Sequence, residues 1–362
     1  MAGPLAGLRI IEMAGLGAAP FAGMMLADHG AEVIRVDRPG TPHTPWDPLL
    51  RSRKSVAIDL KTAEGVAALR QLSRSADGLI EGFRPGVMER LGIGPDVLLA
   101  DNPRLVYGRM TGWGQNGPWN QAAGHDINYI ALSGVLGMVG RAGQKPVPPL
   151  NLVGDFGGGG MMLAFGMVSA LLAVRKGGDG QVIDCAMTDG SALLAAMMWG
   201  FRAEGSWRDE RGVNLLDTGA PFYDTYETAD GGNIALGAIE PQFFAKFRAL
   251  AGIEDDPLFD EQNDPKLWPI QRKALEKLFR TRSRDEWSVI FGVTDACATS
   301  VLTMAEALVH PQNAARGTFI DVGGFAQPAP APRYSATPCD FPSPPPATGE
   351  DNRALLPASP AI

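Results

Sequence analysis

The chain carries four histidines, at 29, 43, 125 and 310, and His125 is the one whose neighbours favour imidazole chemistry. It stands in Gly124-His125-Asp126-Ile127-Asn128-Tyr129, between a glycine and the predicted start of a helix over 126–134 with Asp126 as its N-cap. The first amides of such a helix lack carbonyl partners and lie at the positive end of its dipole. An oxygen that gains negative charge would be stabilised there, beside a group that takes or gives a proton near neutral pH. Further on, Asn151-Leu152-Val153-Gly154-Asp155-Phe156 leads into Gly157–Gly160, which places the Asp155 carboxyl at the mouth of a glycine-rich loop ahead of an apolar helix. Glycines at such density fit where backbone must approach a ligand or another helix closely. Both segments also have plainer readings, a capped surface helix and a tight packing contact.

Two further groups are candidates for binding. Arg38, Arg51, Arg53, Lys54, Arg84 and Arg90 follow or flank predicted strands and could gather on one rim to hold a phosphate-bearing ligand. Gly15-Leu16-Gly17-Ala18-Ala19-Pro20, with Asp37 some way on, imitates a dinucleotide fingerprint, but Pro20 replaces its third glycine and Arg38 adjoins the acid. A tight turn in an α/β fold accounts for it as well. No GKS or GKT follows the glycine run, so a P-loop is excluded, and there is no GxSxG elbow or HExxH zinc motif.

The elements that must position these residues alternate along the first 200 positions. Strands are expected at 8–11, 32–36, 55–59, 78–81, 104–109 and 181–187. Helices are expected at 21–29, 62–73, 87–91, 126–134, 161–175 and 191–203. That rhythm argues for a parallel sheet covered by helices, with ligands beyond the carboxyl ends of the strands. A polar connection over 201–221 follows. Residues 222–228 and 233–238, joined by Ala229-Asp230-Gly231-Gly232, predict a β-hairpin, and helices are expected at 241–251, 268–281 and 284–291. The expectation is therefore a large α/β domain over 1–200, a smaller α+β domain over 222–310, and a returning segment over 311–362. Ten of the 29 prolines lie beyond Gly324, so that tail should be extended or disordered rather than helical.

With 45% hydrophobic and 20% charged residues the chain is an ordinary globular protein, and at 362 residues two domains are expected. The net charge of −8 argues against a general nucleic-acid binder. It is uneven: residues 1–110 hold 13 basic and 12 acidic side chains, so an anionic ligand suits the first third best. Three cysteines with no CxxC pair suggest a reduced, cytoplasmic setting, as does a start without the order of a signal peptide and an end unlike a peroxisomal signal. The apolar run near 161–174 reads as too short for a membrane span.

The ordered set of motifs resembles one family. The matching segments are Gly30-Ala-Glu-Val-Ile-Arg-Val-Asp-Arg-Pro39, Glu81-Gly-Phe-Arg-Pro-Gly86, Arg109-Met-Thr-Gly-Trp-Gly-Gln115, Gly124–Tyr129, Gly154–Gly159 and Gly237-Ala-Ile-Glu-Pro-Gln242. Over residues 5–338 the chain resembles the α-methylacyl-CoA racemases of the family III CoA-transferase superfamily. The resemblance implies an intertwined homodimer. Each subunit would have a Rossmann-like large domain with a parallel sheet, completed by the C-terminal segment, and a smaller α+β domain. It implies epimerisation at the α-carbon of a 2-methylacyl-CoA, with His125 and Asp155 as the acid–base pair, Glu240 against the histidine, and the thioester oxygen at the helix start near Asp126. CoA contacts would fall on Arg38, Arg84 and Arg90, and more loosely on Ile58, Met110, Gly124 and Tyr129. The acyl-CoA is substrate, and neither a separate cofactor, a metal, a nucleic acid nor a membrane is expected. Methionines at 110, 138, 161, 162, 187, 197 and 198 would serve the acyl chain or simply pack the core. Three rivals stand beside this reading: a CoA-transferase with Asp155 as nucleophile, a nicotinamide oxidoreductase, and a silent acyl-CoA binder.

Overall fold

The computed structural model describes residues 3–356 of the chain. Its residues fall into two compact units, one formed by 3–135, 149–196 and 312–356, the other by 136–148 and 197–311.

The first unit is built on β1 (Arg9–Met13), α1 (Ala18–Asp28), β2 (Glu32–Asp37), β3 (Arg53–Ala57), α2 (Ala63–Arg74), β4 (Gly78–Glu81), α3 (Val87–Arg90), α4 (Pro95–Asp101) and β5 (Val106–Thr111). After the site segment come α5 (Asp126–Leu132), α6 (Val135–Met138), which runs into the other unit, a π-helix over Leu152–Met161, α7 (Met162–Arg175), β6 (Gln181–Ala186) and α8 (Met187–Leu194). The six strands form one parallel sheet in the order β3-β2-β1-β4-β5-β6. The order reverses between β1 and β4, so a crevice opens beyond Met13 and Glu81. Near-continuous apolar runs explain the strands: Ile10, Ile11, Val33, Ile34, Leu79 and Ile80 are buried on both faces of the sheet. One core lies between the sheet and α1 with α7, the other under α2 and α4.

The returning segment covers the free edge of β3. Asp351 accepts from the Ser55 amide at 2.8 Å and Asn352 from the Ala57 amide at 2.8 Å. Side chains thus close an edge that would otherwise offer unpaired backbone. The proline-rich tail is extended here, apart from the β-ribbon of β10 (Phe319–Val322) and β11 (Phe325–Pro328) and one terminal turn over Asn352–Leu355.

In the second unit, residues 136–148 are joined by most of α9 (Ala196–Ala203). The unit continues with β7 (Tyr223–Glu227), β8 (Asn233–Gly237), α10 (Pro241–Ala251), α11 (Trp268–Phe279), α12 (Arg284–Phe291) and β9 (Ala298–Ser300). The hairpin and the three helices fall where the turn and the apolar spacing predict them. Their core is aromatic, with Phe222, Phe247, Phe279, Trp287 and Phe291 buried together.

Two expectations are corrected. The glycine-rich segment is not a loop but the π-helix over Leu152–Met161, continuous with α7, and the glycines are what let it fit. A Cβ on Gly159 would meet Met187 and Ala18, one on Gly160 would meet Phe21, and one on Gly190 of α8 would strike the Gly158 carbonyl. The helix therefore runs through Leu152–Arg175, 24 residues whose most apolar 18-residue stretch has mean hydropathy 1.7, long and apolar enough by length and composition to cross a membrane, rather than too short. Half of its most apolar stretch is buried inside the protein. The other half leaves Met161, Phe165, Val168 and Leu172 exposed along one stripe.

Candidate active site

His125 is the residue before α5, with extended backbone, and its amide donates to Asn128 Oδ1 at 3.0 Å. The helix therefore begins one residue earlier in function than expected: His125 occupies the N-cap position and Asp126 the first helical one. The Asp126 amide has no carbonyl to reach inside the helix. Just before it, the Tyr129 hydroxyl donates to the Gly124 carbonyl. The Tyr129 ring lies edge-on to Trp113, centroids 4.8 Å apart, and fills the space that a Cβ on Gly112 or Gly124 would take. The glycines flanking the histidine segment thus make room for one aromatic ring, which fixes the approach of the chain to His125.

The Asp126 side chain turns away from its own helix. It is 4% exposed, and its Oδ2 accepts from the amides of Gly154 at 2.5 Å and Asp155 at 2.8 Å. These amides belong to the open first turn of the π-helix. One residue therefore ties the start of α5 to the start of the helix that bears Asp155. Asp155 also accepts from Asn151 Nδ2 at 3.2 Å, and its Oδ2 lies 3.4 Å from where a Cβ on Gly17 would stand. Gly17, at φ +67°, closes the turn after β1, so its missing side chain serves both the turn and the carboxyl. Burial raises the Asp155 pKa above the usual carboxylate range. Asn151 opposes that rise, the Asp126 charge adds to it, and His125 pulls it back. Half-buried beside an imidazole, Asp155 is a carboxyl that can hold or release a proton.

Among the binding candidates, the basic rim separates into two groups. Arg51 and Arg53 are corrected: both are buried structural cations. Arg51 forms a bidentate pair with Asp28 and reaches Gln327, while Arg53 pairs with Glu12 at 2.8 Å and donates to the Pro20 carbonyl. Lys54 pairs with Glu32 at the surface. Arg38, Arg84 and Arg90 remain exposed. Arg38 and Ile58 line a cavity of about 300 Å³ with Met13, Lys61 and Phe83. Arg84 lies near enough to Tyr129 for its charge to act on the phenol. Met110, expected as a loose CoA contact, is instead a buried core residue, 2% exposed. The dinucleotide reading loses its acid, because both Asp37 oxygens are engaged, by Arg35 Nε at 2.9 Å and Ser55 Oγ at 2.7 Å.

The unit therefore brings His125, Asp126, Asp155, Gly124 and Tyr129 together, with Arg38 and Arg84 along the strand ends. Glu240 is exposed at the start of α10 in the other unit and keeps only the role the resemblance gives it. Sequence reasoning missed Asn151 as a partner of Asp155. Their spacing of four would have shown it had the segment been read as a helical turn. Among the described residues no cluster of three His, Cys, Asp or Glu is placed to hold a metal ion.

Comparison with known proteins gives the chain's family. Residues 5–352 match the family described as CoA-transferase family III. Alpha-methylacyl-CoA racemase of Mus musculus is 49% identical over 92% of this chain and 87% of its own, and that of Homo sapiens 46% identical over the same shares. The crystal structure of a CAIB/BAIF family protein from Brucella suis superposes with a TM-score of 0.83 at 27% identity, covering 98% of this chain and 99% of that one. The chain belongs to the family III CoA-transferases.

Proposed function

We propose that this chain is a racemase of 2-methylacyl-CoA thioesters, and that it moves a proton between the two faces of C2 through an enolate. The observation that carries the reading is the bridge from Asp126 to the Gly154 and Asp155 amides, which holds an imidazole-bearing helix start and a carboxyl in one place. The similarity to racemases at 46–49% identity supports the same reaction.

An α-proton next to a thioester is weakly acidic, so a base alone is insufficient. The enolate oxygen must be stabilised as charge develops, and the unpaired Asp126 amide at the positive end of α5 is suited to that. One of His125 and Asp155 takes the C2 proton while the other delivers its own from the opposite face. The electron pair passes into the enolate and returns, with no net oxidation. Raised by burial, Asp155 reaches its protonated form closer to neutral pH than an exposed carboxyl would. Arg38, Arg84 and Arg90 are proposed to hold the phosphates of CoA. The CoA moiety arrives with the substrate, and the proposal includes no separate cofactor. We also propose that the chain works as a homodimer in a reducing, cytoplasmic setting. The exposed stripe of Met161, Phe165, Val168 and Leu172 supports the first part, and the free Cys185, Cys297 and Cys339 support the second.

The test is incubation of each epimer of a 2-methylacyl-CoA in heavy water. Deuterium wash-in at C2 with both epimers formed is expected, and His125→Ala and Asp155→Ala should each abolish inversion while retaining CoA affinity. No exchange, with an acyl group trapped on Asp155, would replace the racemase with a transferase.

A further inference from the structure

The Asp126 carboxylate is spent on neither substrate nor its own helix. It accepts two amides of the π-helix's first turn, at 2.5 and 2.8 Å, through a single oxygen, while its Oδ1 is buried with no partner. A buried carboxylate with one idle oxygen is expensive, and a neutral residue at this position would fold with less penalty. What the arrangement provides is a rigid link from the residue beside His125 to the residue that is Asp155. Gly154 is shaped for it: a Cβ there would stand 2.6 Å from Asp126 Oδ2 and 3.2 Å from the Asp126 Cα.

From this geometry we infer that the Asp126 side chain is a positioning residue, which holds the Asp155 carboxyl in register with His125 so that a proton removed on one face is matched by delivery on the other. The inference rests on the racemase reading and deepens it. The Asp126 amide faces the thioester oxygen in that reading; its side chain fixes where the second acid–base group stands. Without the link, the π-helix start loses its acceptor, and Asp155 is held only by Asn151. His125 keeps its own support from Asn128. The two halves of the reaction should then separate. The imidazole still takes the proton of one epimer and returns a deuteron to the same face, whereas delivery from the opposite face fails.

The experiment uses the full chain and both epimers of a 2-methylalkanoyl-CoA in heavy water, reading C2 deuterium by mass spectrometry and configuration by chiral separation. The wild type must exchange with inversion; if it does not, the racemase reading itself fails. For Asp126→Ala the ratio of inversion to exchange, starting from the epimer served by His125, should fall at least tenfold. Exchange from that epimer and the KM should both stay within about threefold. Gly154→Ala, whose new Cβ pushes against the Asp126 side chain and forces the same link apart while residue 126 stays an aspartate, should reproduce the pattern and serves if Asp126→Ala does not fold by circular dichroism. Asp126→Asn retains an acceptor oxygen and should restore the ratio to within threefold. A folded Asp126→Ala or Gly154→Ala that keeps the wild-type ratio, or that loses exchange equally from both epimers, overturns the inference, as does an Asp126→Asn as impaired as the alanine.

Discussion

Phe165 is 73% exposed on the outer stripe of α7, flanked one turn before by Met161 and one turn later by Val168. Full burial of a phenylalanine side chain is worth roughly 1.5–3 kcal/mol. With about three-quarters of the ring still to be covered, each copy gains on the order of 1–2 kcal/mol when the stripe meets its like. A two-fold dimer uses the residue twice, so Phe165→Asp should cost roughly 2–4 kcal/mol, or about 30- to 1,000-fold in dissociation constant, and desolvation of the new carboxylate adds to it. Sedimentation velocity from nanomolar to micromolar concentration measures this directly. The wild type should sediment at twice the 38.3 kDa chain mass and the variant should shift toward a single chain, while its far-ultraviolet dichroism is unchanged because the ring contributes little to the core. A wild type that stays at one chain mass throughout, or a variant with an unaltered dissociation constant, refutes the reasoning.

Other consequences follow from buried charge. Arg51→Ala leaves Asp28 buried without its cation, so unfolding free energy should drop by about 3–5 kcal/mol while the KM for acyl-CoA is unaffected, a pairing that a CoA-binding role for Arg51 would contradict. Glu81 is wholly buried, and burial pushes its pKa from 4.5 up to about 7 against the pull of the Phe83 amide and Arg109. The folded protein then holds that proton more tightly than the unfolded chain, so this contribution to stability is present below pH 4.5 and is lost as pH rises to about 7. It amounts to about 3 kcal/mol, and urea unfolding of Glu81→Gln across that range should show a correspondingly flatter decline. Arg84→Ala should raise the KM for acyl-CoA roughly ten- to a hundredfold and weaken its dependence on salt, with kcat preserved; an equal loss of kcat would place Arg84 in the chemistry instead.

Much of the large unit was legible from residue order because parallel strands buried on both faces read as plain apolar runs, as in Arg9–Met13 and Gly78–Glu81. The hairpin was legible for another reason: Ala229-Asp230-Gly231-Gly232 is strong turn chemistry between alternating residues. The π-helix was not, because four successive glycines argue locally for a loop. Only the partners Phe21, Met187 and Gly190, distant in sequence, reveal that their absent side chains admit a helix. Arg51 and Arg53 misled for the same reason. Their acids, Asp28 and Glu12, lie on neighbouring elements whose spacing no linear reading supplies. His125 and Asp155 were visible as residue types in suggestive settings, but the atom that joins them, Asp126 Oδ2, became visible only with the backbone in place.

The path of the chain has a practical consequence. Residues 136–148 fold with the second unit, although they lie between the helix that follows His125 and the one that carries Asp155, and residues 312–356 return to the first. No single cut in the gene can release either unit whole. A truncation after residue 196 strips β3 of the side chains that seal its edge and Arg51 of Gln327, while a fragment starting at 197 lacks 136–148, whose Arg141 pairs with the buried Asp224. Shuffling between relatives must therefore graft three separate stretches at once to replace the first unit, or two to replace the second, with every junction placed where the chain crosses from one unit to the other.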